Sequence, residues 1–193
     1  MDKHENIEQL YDEYGERVFN AVFCMLGRYQ DAEDITQETF VSAHRRWDEF
    51  EGRSSPYTWL YRIAMNAAKT HLKKNARRAR LLCDIGAEAA EQSGTTGTED
   101  EVERRFFEDE ARRAATAAMM RLPTKFREVI ALRCVEGLSY VDISKITGVS
   151  IGTVESRLHR AKERLRKEMR EIPSKKEENH EKMHVSKARA ALR

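Results

Sequence analysis

One segment near the middle of the chain divides it into two parts. Residues 84–103 hold seven acidic residues and no lysine or arginine, together with three glycines and a run of Ser and Thr. Such a segment buries too little apolar surface to offset the entropy lost when a chain becomes ordered. The sequence therefore predicts two folded units, residues 1–83 and 105–172, joined by a flexible acidic linker over residues 84–104. Residues 173–193 are expected to form a polar tail.

The composition favours helices over sheets. The chain has 9 Gly and 3 Pro among 193 residues, roughly half the average usage of ~12%, so tight turns are few. No apolar run approaches the ~20 residues that span a bilayer, and the N-terminus lacks the apolar core of a signal peptide. Cys24, Cys83 and Cys134 are too far apart for a Cys-rich zinc motif. We expect an all-α, cytoplasmic protein without membrane insertion.

Charge is distributed unevenly along the chain. The formal net charge is only +2, but residues 150–193 carry 13 basic and 7 acidic residues, in contrast to the acidic linker. Basic segments on either side of an acidic spacer are typical of a protein that contacts a polyanion at two places. Ordinary solvated helix surfaces explain the charge alone equally well.

Three helices are predicted in the first unit. Apolar residues recur at steps of three and four from Ile7 to Leu26, and Asp31 is the expected N-cap of a second helix. Ser55-Pro56 is a favourable start for a third helix. On this third helix one face is apolar, and the predicted outer face carries Tyr61, Arg62, Met65, Asn66, Lys69 and Lys73.

The second unit has the pattern of a helix-turn-helix. A helix begins at Leu122-Pro123-Thr124 and ends at Gly137, and Ser139 resembles the N-cap of a short helix that ends at Gly148. Ser150 then caps a longer helix in which residues 155–170 hold seven basic and three acidic residues. This series favours DNA binding over the alternative, a plain helical hairpin with a charged outer face.

These motifs carry a family resemblance. The run from Asp31 to Phe40 resembles the polymerase-binding helix of sigma-70-family factors, and Thr58 to Asn66 resembles the promoter-reading helix of the extracytoplasmic-function (ECF) branch. Leu122-Pro123, Gly137 to Tyr140 and Gly152 to Ala161 resemble the C-terminal domain of that branch. The resemblance implies two small helical domains that match sigma regions 2 and 4.

The resemblance also implies functional residues at the matching positions. Contacts to core RNA polymerase are expected from Asp34, Ile35, Gln37 and Glu38. Contacts to the opened −10 element are expected from Arg53, Ser54, Ser55, Tyr57, Thr58, Tyr61, Arg62, Asn66 and Lys69. Contacts to the −35 major groove are expected from Thr153, Glu155, Ser156, Arg157, His159 and Arg160, where Arg and Ser can address bases and phosphates. Glu155 stands where a basic residue is common, which leaves the promoter sequence open.

The implied function is promoter-specific initiation of transcription, with core polymerase, promoter DNA and an anti-sigma factor as partners and with no cofactor, metal or catalytic site. A helix-turn-helix regulator that does not engage polymerase is the alternative, and the Asp31–Phe40 helix argues against it. His180-Glu181 and His184 match the His-Glu-x-x-His pattern of zinc proteases. They lie in the polar tail without a third ligand, so we interpret the match as a coincidence.

Overall fold

A computed structural model describes residues 3–50, 52, 54–84 and 110–171. These residues form α-helices without any strand, as the sequence predicts. In chain order the helices are α1 (Lys3–Leu26), α2 (Tyr29–Arg45), α3 (Pro56–Asp84), α4 (Glu110–Arg121), α5 (Thr124–Ile130), α6 (Tyr140–Thr147) and α7 (Ile151–Glu171). A 3₁₀ turn, Trp47–Glu49, follows α2, and a π turn, Ala131–Val135, extends α5. The predicted tail and most of the predicted linker lie outside the described residues.

Helices α1, α2 and α3 pack against one another to form the N-terminal unit. Val18, Val22 and Met25 of α1 are fully buried, which places the predicted apolar stripe in the core. Helix α2 begins three residues before the predicted start, so Asp31 lies in its first turn and Arg28 occupies the N-cap position without a side-chain cap bond. The predicted N-cap is therefore wrong, although an acid in the first turn still suits the helix dipole.

Helix α3 begins where the sequence predicts, but it buries more of its surface than predicted. Ser55 accepts a hydrogen bond from the Thr58 backbone N–H at 3.4 Å, which is the capping contact of a favourable start. Tyr61 and Met65, which were expected on the outer face, are fully buried. The prediction assumed that α3 packs on its own unit alone, whereas α6 of the C-terminal unit also packs against it.

The helix-turn-helix forms as predicted. Ser139 caps α6 by accepting from the Asp142 N–H at 3.1 Å, and Gly148 ends that helix with a φ of +73°. Ser150 caps α7 by accepting from the Thr153 N–H at 3.3 Å. Val154, Leu158 and Ala161 of α7 are buried against α5 and α6.

The two units joined by the predicted linker dock into one body. Their buried residues form one continuous hydrophobic cluster, with α5 and the π turn against α1 and with α6 against α3. Gly27, which follows α1 with a φ of +73°, sits so close to α4 that a Cβ there would lie 2.5 Å from Met120 Sδ. Glycine suits this left-handed backbone conformation, and any larger residue would also have to push the Met120 side chain aside.

Candidate polymerase and nucleic-acid interfaces

The outward face of α2 carries the residues predicted to bind polymerase. Asp34, Gln37 and Glu38 are exposed and lie on one side of the helix together with the exposed Val41. Ile35 is only 4% exposed, so its side chain lies mainly in the core, at the edge of a groove between α2 and α3. An acid and amide face of this kind suits a protein partner with basic and hydrogen-bonding groups.

A groove of about 260 Å³ runs between α2 and α3. The polar side chains along it are Glu38, Ser42, Arg46, Asn66, Thr70, His71 and Lys74. Arg62 and Asn66 of α3 are exposed one helical turn apart. The groove is therefore lined by two predicted polymerase residues, Ile35 and Glu38, and by one predicted −10 residue, Asn66.

Aromatic rings support the connection that leads into α3. Trp47, Phe50 and Trp59 form a cluster with ring centroids 5.3–5.9 Å apart. Of the −10 residues predicted here, Ser54, Ser55 and Tyr57 are half-buried, and Arg53 lies outside the described residues. The ring cluster fixes the start of α3 relative to α2, because edge-on aromatic contacts are directional.

Three predicted −10 residues are not available in this arrangement. Thr58 is buried and hydrogen-bonds the Ser55 hydroxyl at 2.8 Å. The Tyr61 side chain is fully buried, and its hydroxyl donates to Glu136 Oε2. Burial and the neighbouring Glu136 carboxylate raise the pKa of Tyr61 well above its usual range, so the hydroxyl stays a donor. Lys69 Nζ lies 2.8 Å from Glu128 Oε1.

Charged residues of the C-terminal unit add polar contacts to the hydrophobic contact between the units, and no sequence motif predicted them. Glu136, whose side chain is 3% exposed, also accepts from Arg17 Nε at 3.1 Å. Arg127 is buried and donates from Nη1 to the Met25 carbonyl at 2.5 Å, close to the end of α1 where helix carbonyls lack partners. Burial lowers the pKa of Arg127. The available signal was the position of Arg127 and Glu128 between the apolar residues Phe126 and Val129.

Helix α7 presents its predicted −35 residues to solvent. Glu155, Ser156, His159 and Arg160 are exposed, and Thr153 and Arg157 are half-buried. Ser156 Oγ donates to the Thr153 carbonyl at 3.0 Å, and His159 lies 3.5 Å from Glu163. All six side chains lie in the first half of a long helix, which is the part that a helix-turn-helix inserts into the major groove.

Comparisons with known proteins agree with this division into units. Residues 10–78 match the family model for sigma-70 region 2, and residues 112–165 match the model for sigma-70 region 4. The chain is 41% identical over 154 residues to the ECF RNA polymerase sigma-E factor of Haemophilus influenzae, covering 76% of this chain and 80% of the relative. The chain belongs to the ECF sigma factors of the sigma-70 family. It recruits core RNA polymerase to promoters and initiates transcription there.

Further relatives support the same family assignment. This sigma factor is 36% identical over 162 residues to the RNA polymerase sigma-H factor of Pseudomonas aeruginosa, covering 82% of this chain and 83% of the relative. Among solved structures, the sigma factor RpoE of Bartonella quintana, in complex with its anti-sigma factor NepR, superimposes with a TM-score of 0.65 at 25% identity. That match covers 86% of this chain and 98% of the other.

Across residues 3–84 and 110–171, apart from the undescribed positions 51 and 53, no cluster of His, Cys, Asp and Glu could hold a metal ion. The His180–His184 pair lies outside the described residues. Within the same described part of the chain, no helix has the length and apolar character to cross a membrane.

Proposed function

We propose that this sigma factor divides initiation among three faces. The acid and amide face of α2, with Asp34, Gln37 and Glu38, binds the largest polymerase subunit. The α3 face with Arg62, Asn66 and Lys69, joined by the segment from Arg53 to Tyr61, holds the opened −10 strand. The first half of α7, with the six residues from Thr153 to Arg160 named above, reads the −35 duplex.

One observation carries this assignment. The α2–α3 groove places Glu38 and Asn66 on one surface, next to the basic side chains of Arg46 and Lys74. If neighbouring residues bind polymerase and the single strand, an acidic residue is expected beside DNA-binding residues on this surface. Arginine and lysine supply contacts to phosphates, and an asparagine amide can pair with a base edge. The exposed helix α7 supplies the separate, duplex-reading contact.

The partners follow from the family. We propose that an anti-sigma factor regulates this chain, as the complex of the Bartonella sigma factor with NepR suggests. The sigma factor works in the cytoplasm beside its polymerase and performs no catalytic step itself. The polymerase supplies the chemistry of RNA synthesis.

The polymerase-binding face is tested by pull-down with purified core polymerase. Gln37→Ala combined with Glu38→Ala removes two exposed side chains, so the affinity for core polymerase falls while helicity stays unchanged. The matched control is Glu8→Ala with Gln9→Ala, the same residue types exposed on α1. Equal affinities of the two double variants contradict the assignment of the α2 face.

A further inference from the structure

Two buried glutamates of the C-terminal unit face the basic and hydroxyl groups of α3. Glu136 accepts from the Tyr61 hydroxyl, and Glu128 lies 2.8 Å from Lys69 Nζ. The two glutamate side chains are 3% and 5% exposed. Both α3 partners belong to the set proposed to hold the −10 strand. In the docked arrangement the C-terminal unit therefore covers part of the α3 surface that is proposed to bind the −10 strand.

We propose that the C-terminal unit acts as an internal competitor of promoter DNA. The carboxylates of Glu128 and Glu136 take the positions of −10 strand phosphates on α3, so the unit must leave α3 before the strand is captured. This inference rests on the proposed −10 function of α3. It adds a closed, self-occluded state that the division into three faces does not require.

The chemistry of the contacts fits such mimicry. Carboxylate and phosphate oxygens are both anionic acceptors, and lysine, arginine and hydroxyl side chains are the usual donors to phosphates. The measured affinity for a −10 strand is then reduced by the fraction of molecules that are open, because only these expose Tyr61 and Lys69. The −35 face of α7 is exposed in the closed state and is not reduced in this way.

Substitution of Arg17 is expected to undock the two units without altering a residue of the proposed DNA-binding face. Arg17 lies on α1, pairs with Glu136 at 3.1 Å and is not among the residues proposed to bind DNA. Its removal leaves Glu136 buried without its cationic partner, which strongly disfavours the docked state. Arg121 is the matched control, because it pairs with Glu168 at 3.4 Å inside the C-terminal unit, and the two arginine side chains are similarly exposed, 48% and 53%.

Cys24 reports opening without any DNA. It lies on α1 and lines a cavity of about 500 Å³ whose other walls include Met119, Met120 and Val135 of the C-terminal unit. In a Cys83→Ser, Cys134→Ser background, the labelling rate of Cys24 by a maleimide is measured for each variant. Arg17→Ala is expected to raise this rate about tenfold or more, and Arg121→Ala less than about twofold. Glu128→Gln with Glu136→Gln, which removes the mimic charges and retains side-chain volume, is expected to raise it as well.

Binding of a labelled single strand completes the experiment. The probe is the −10 non-template strand of a promoter mapped by run-off transcription. Its affinity is expected to rise about tenfold in Arg17→Ala and in the double glutamine variant, and to stay unchanged in Arg121→Ala. Adding Asn66→Ala to the opened variant is expected to abolish the gain.

The outcomes distinguish the internal competitor from the proposed −10 function of α3. An unchanged Cys24 rate in both opening variants overturns the internal competitor while leaving the three faces intact. Faster labelling without tighter strand binding overturns the mimicry. If Asn66→Ala leaves the strand affinity of the opened variant unchanged, the proposed −10 face is wrong, even though the units open as described.

Discussion

The two surfaces proposed to contact DNA differ in how the fold presents them. On α7, Glu155, Ser156, His159 and Arg160 are exposed, and the helix start is fixed by the Ser150 cap. On α3, Arg62 and Asn66 are exposed, whereas Tyr61 is buried and Lys69 is paired with Glu128. One surface is ready to bind in the docked arrangement, and the other is partly covered.

This difference has a physical cause. Helix α7 is amphipathic and buries only its stripe of Val154, Leu158 and Ala161. Helix α3 has apolar residues on two sides, so it packs on its own unit and on α6 of the other unit. A helix with two buried sides has fewer side chains free for a ligand. We infer that duplex recognition precedes capture of the unpaired strand.

The largest expected effect is the difference in labelling rate between two cysteines. Cys24 faces the contact between the units, and burial raises the pKa of its thiol to about 12, whereas Cys134 is exposed on the π turn. The thiolate is the reacting form, so at pH 8 a maleimide is expected to label Cys134 about a hundredfold faster or more. Mass spectrometry of the time course measures both sites in one sample. Equal rates contradict the docked arrangement.

The second-largest expected effect is the loss of affinity for the −35 duplex when one contact is removed. Arg160→Ala is expected to weaken −35 duplex binding by about 1–3 kcal/mol and to lower the salt slope by about one if the contact is to a phosphate. Because α7 is exposed in the docked state, the loss is expected to be the same with and without Arg17→Ala. Lys167→Ala, near the other end of α7, is the control. If the loss of duplex affinity in Arg160→Ala differs with and without Arg17→Ala, α7 is also covered in the docked state.

A smaller effect distinguishes two glycines. Gly27 and Gly148 both have a φ of +73°, but a Cβ would meet Met120 only at Gly27, and nothing lies within 4 Å at Gly148. Alanine at either position is expected to lower the free energy of unfolding by about 1–2 kcal/mol. Only Gly27→Ala is expected also to speed Cys24 labelling, since it alone disturbs the contact between the units. Denaturant titration and maleimide labelling measure the two quantities, and faster labelling in Gly148→Ala contradicts this reasoning.

Local patterns predicted the elements well. The caps at Ser55, Ser139 and Ser150 and the left-handed Gly148 follow from side-chain chemistry within a few residues, and the structure confirms them. The N-cap at Asp31 failed because Arg28 takes that position.

Contacts between the units could not be predicted from local patterns. Tyr61 looks like a surface residue when α3 is considered with one apolar face, and its partner Glu136 lies 75 residues away in the sequence. Ile35 was carried over from a family motif, whereas its position in the turn of α2 places it in the core. A motif indicates where a helix acts but does not show which of its side chains point outward.

The central claim is that the C-terminal unit docks on α3 and leaves it when the promoter opens. The most direct measurement is the distance between labels at two exposed positions outside the proposed contact residues, Asp12→Cys and Glu163→Cys, in a background of Cys24→Ala, Cys83→Ser and Cys134→Ser. For the free protein we predict one narrow distance that moderate salt does not change, because buried charge pairs are screened weakly. With core polymerase and promoter DNA the distance is expected to lengthen. A broad distribution in the free protein, or the same distance in the promoter complex, contradicts the account.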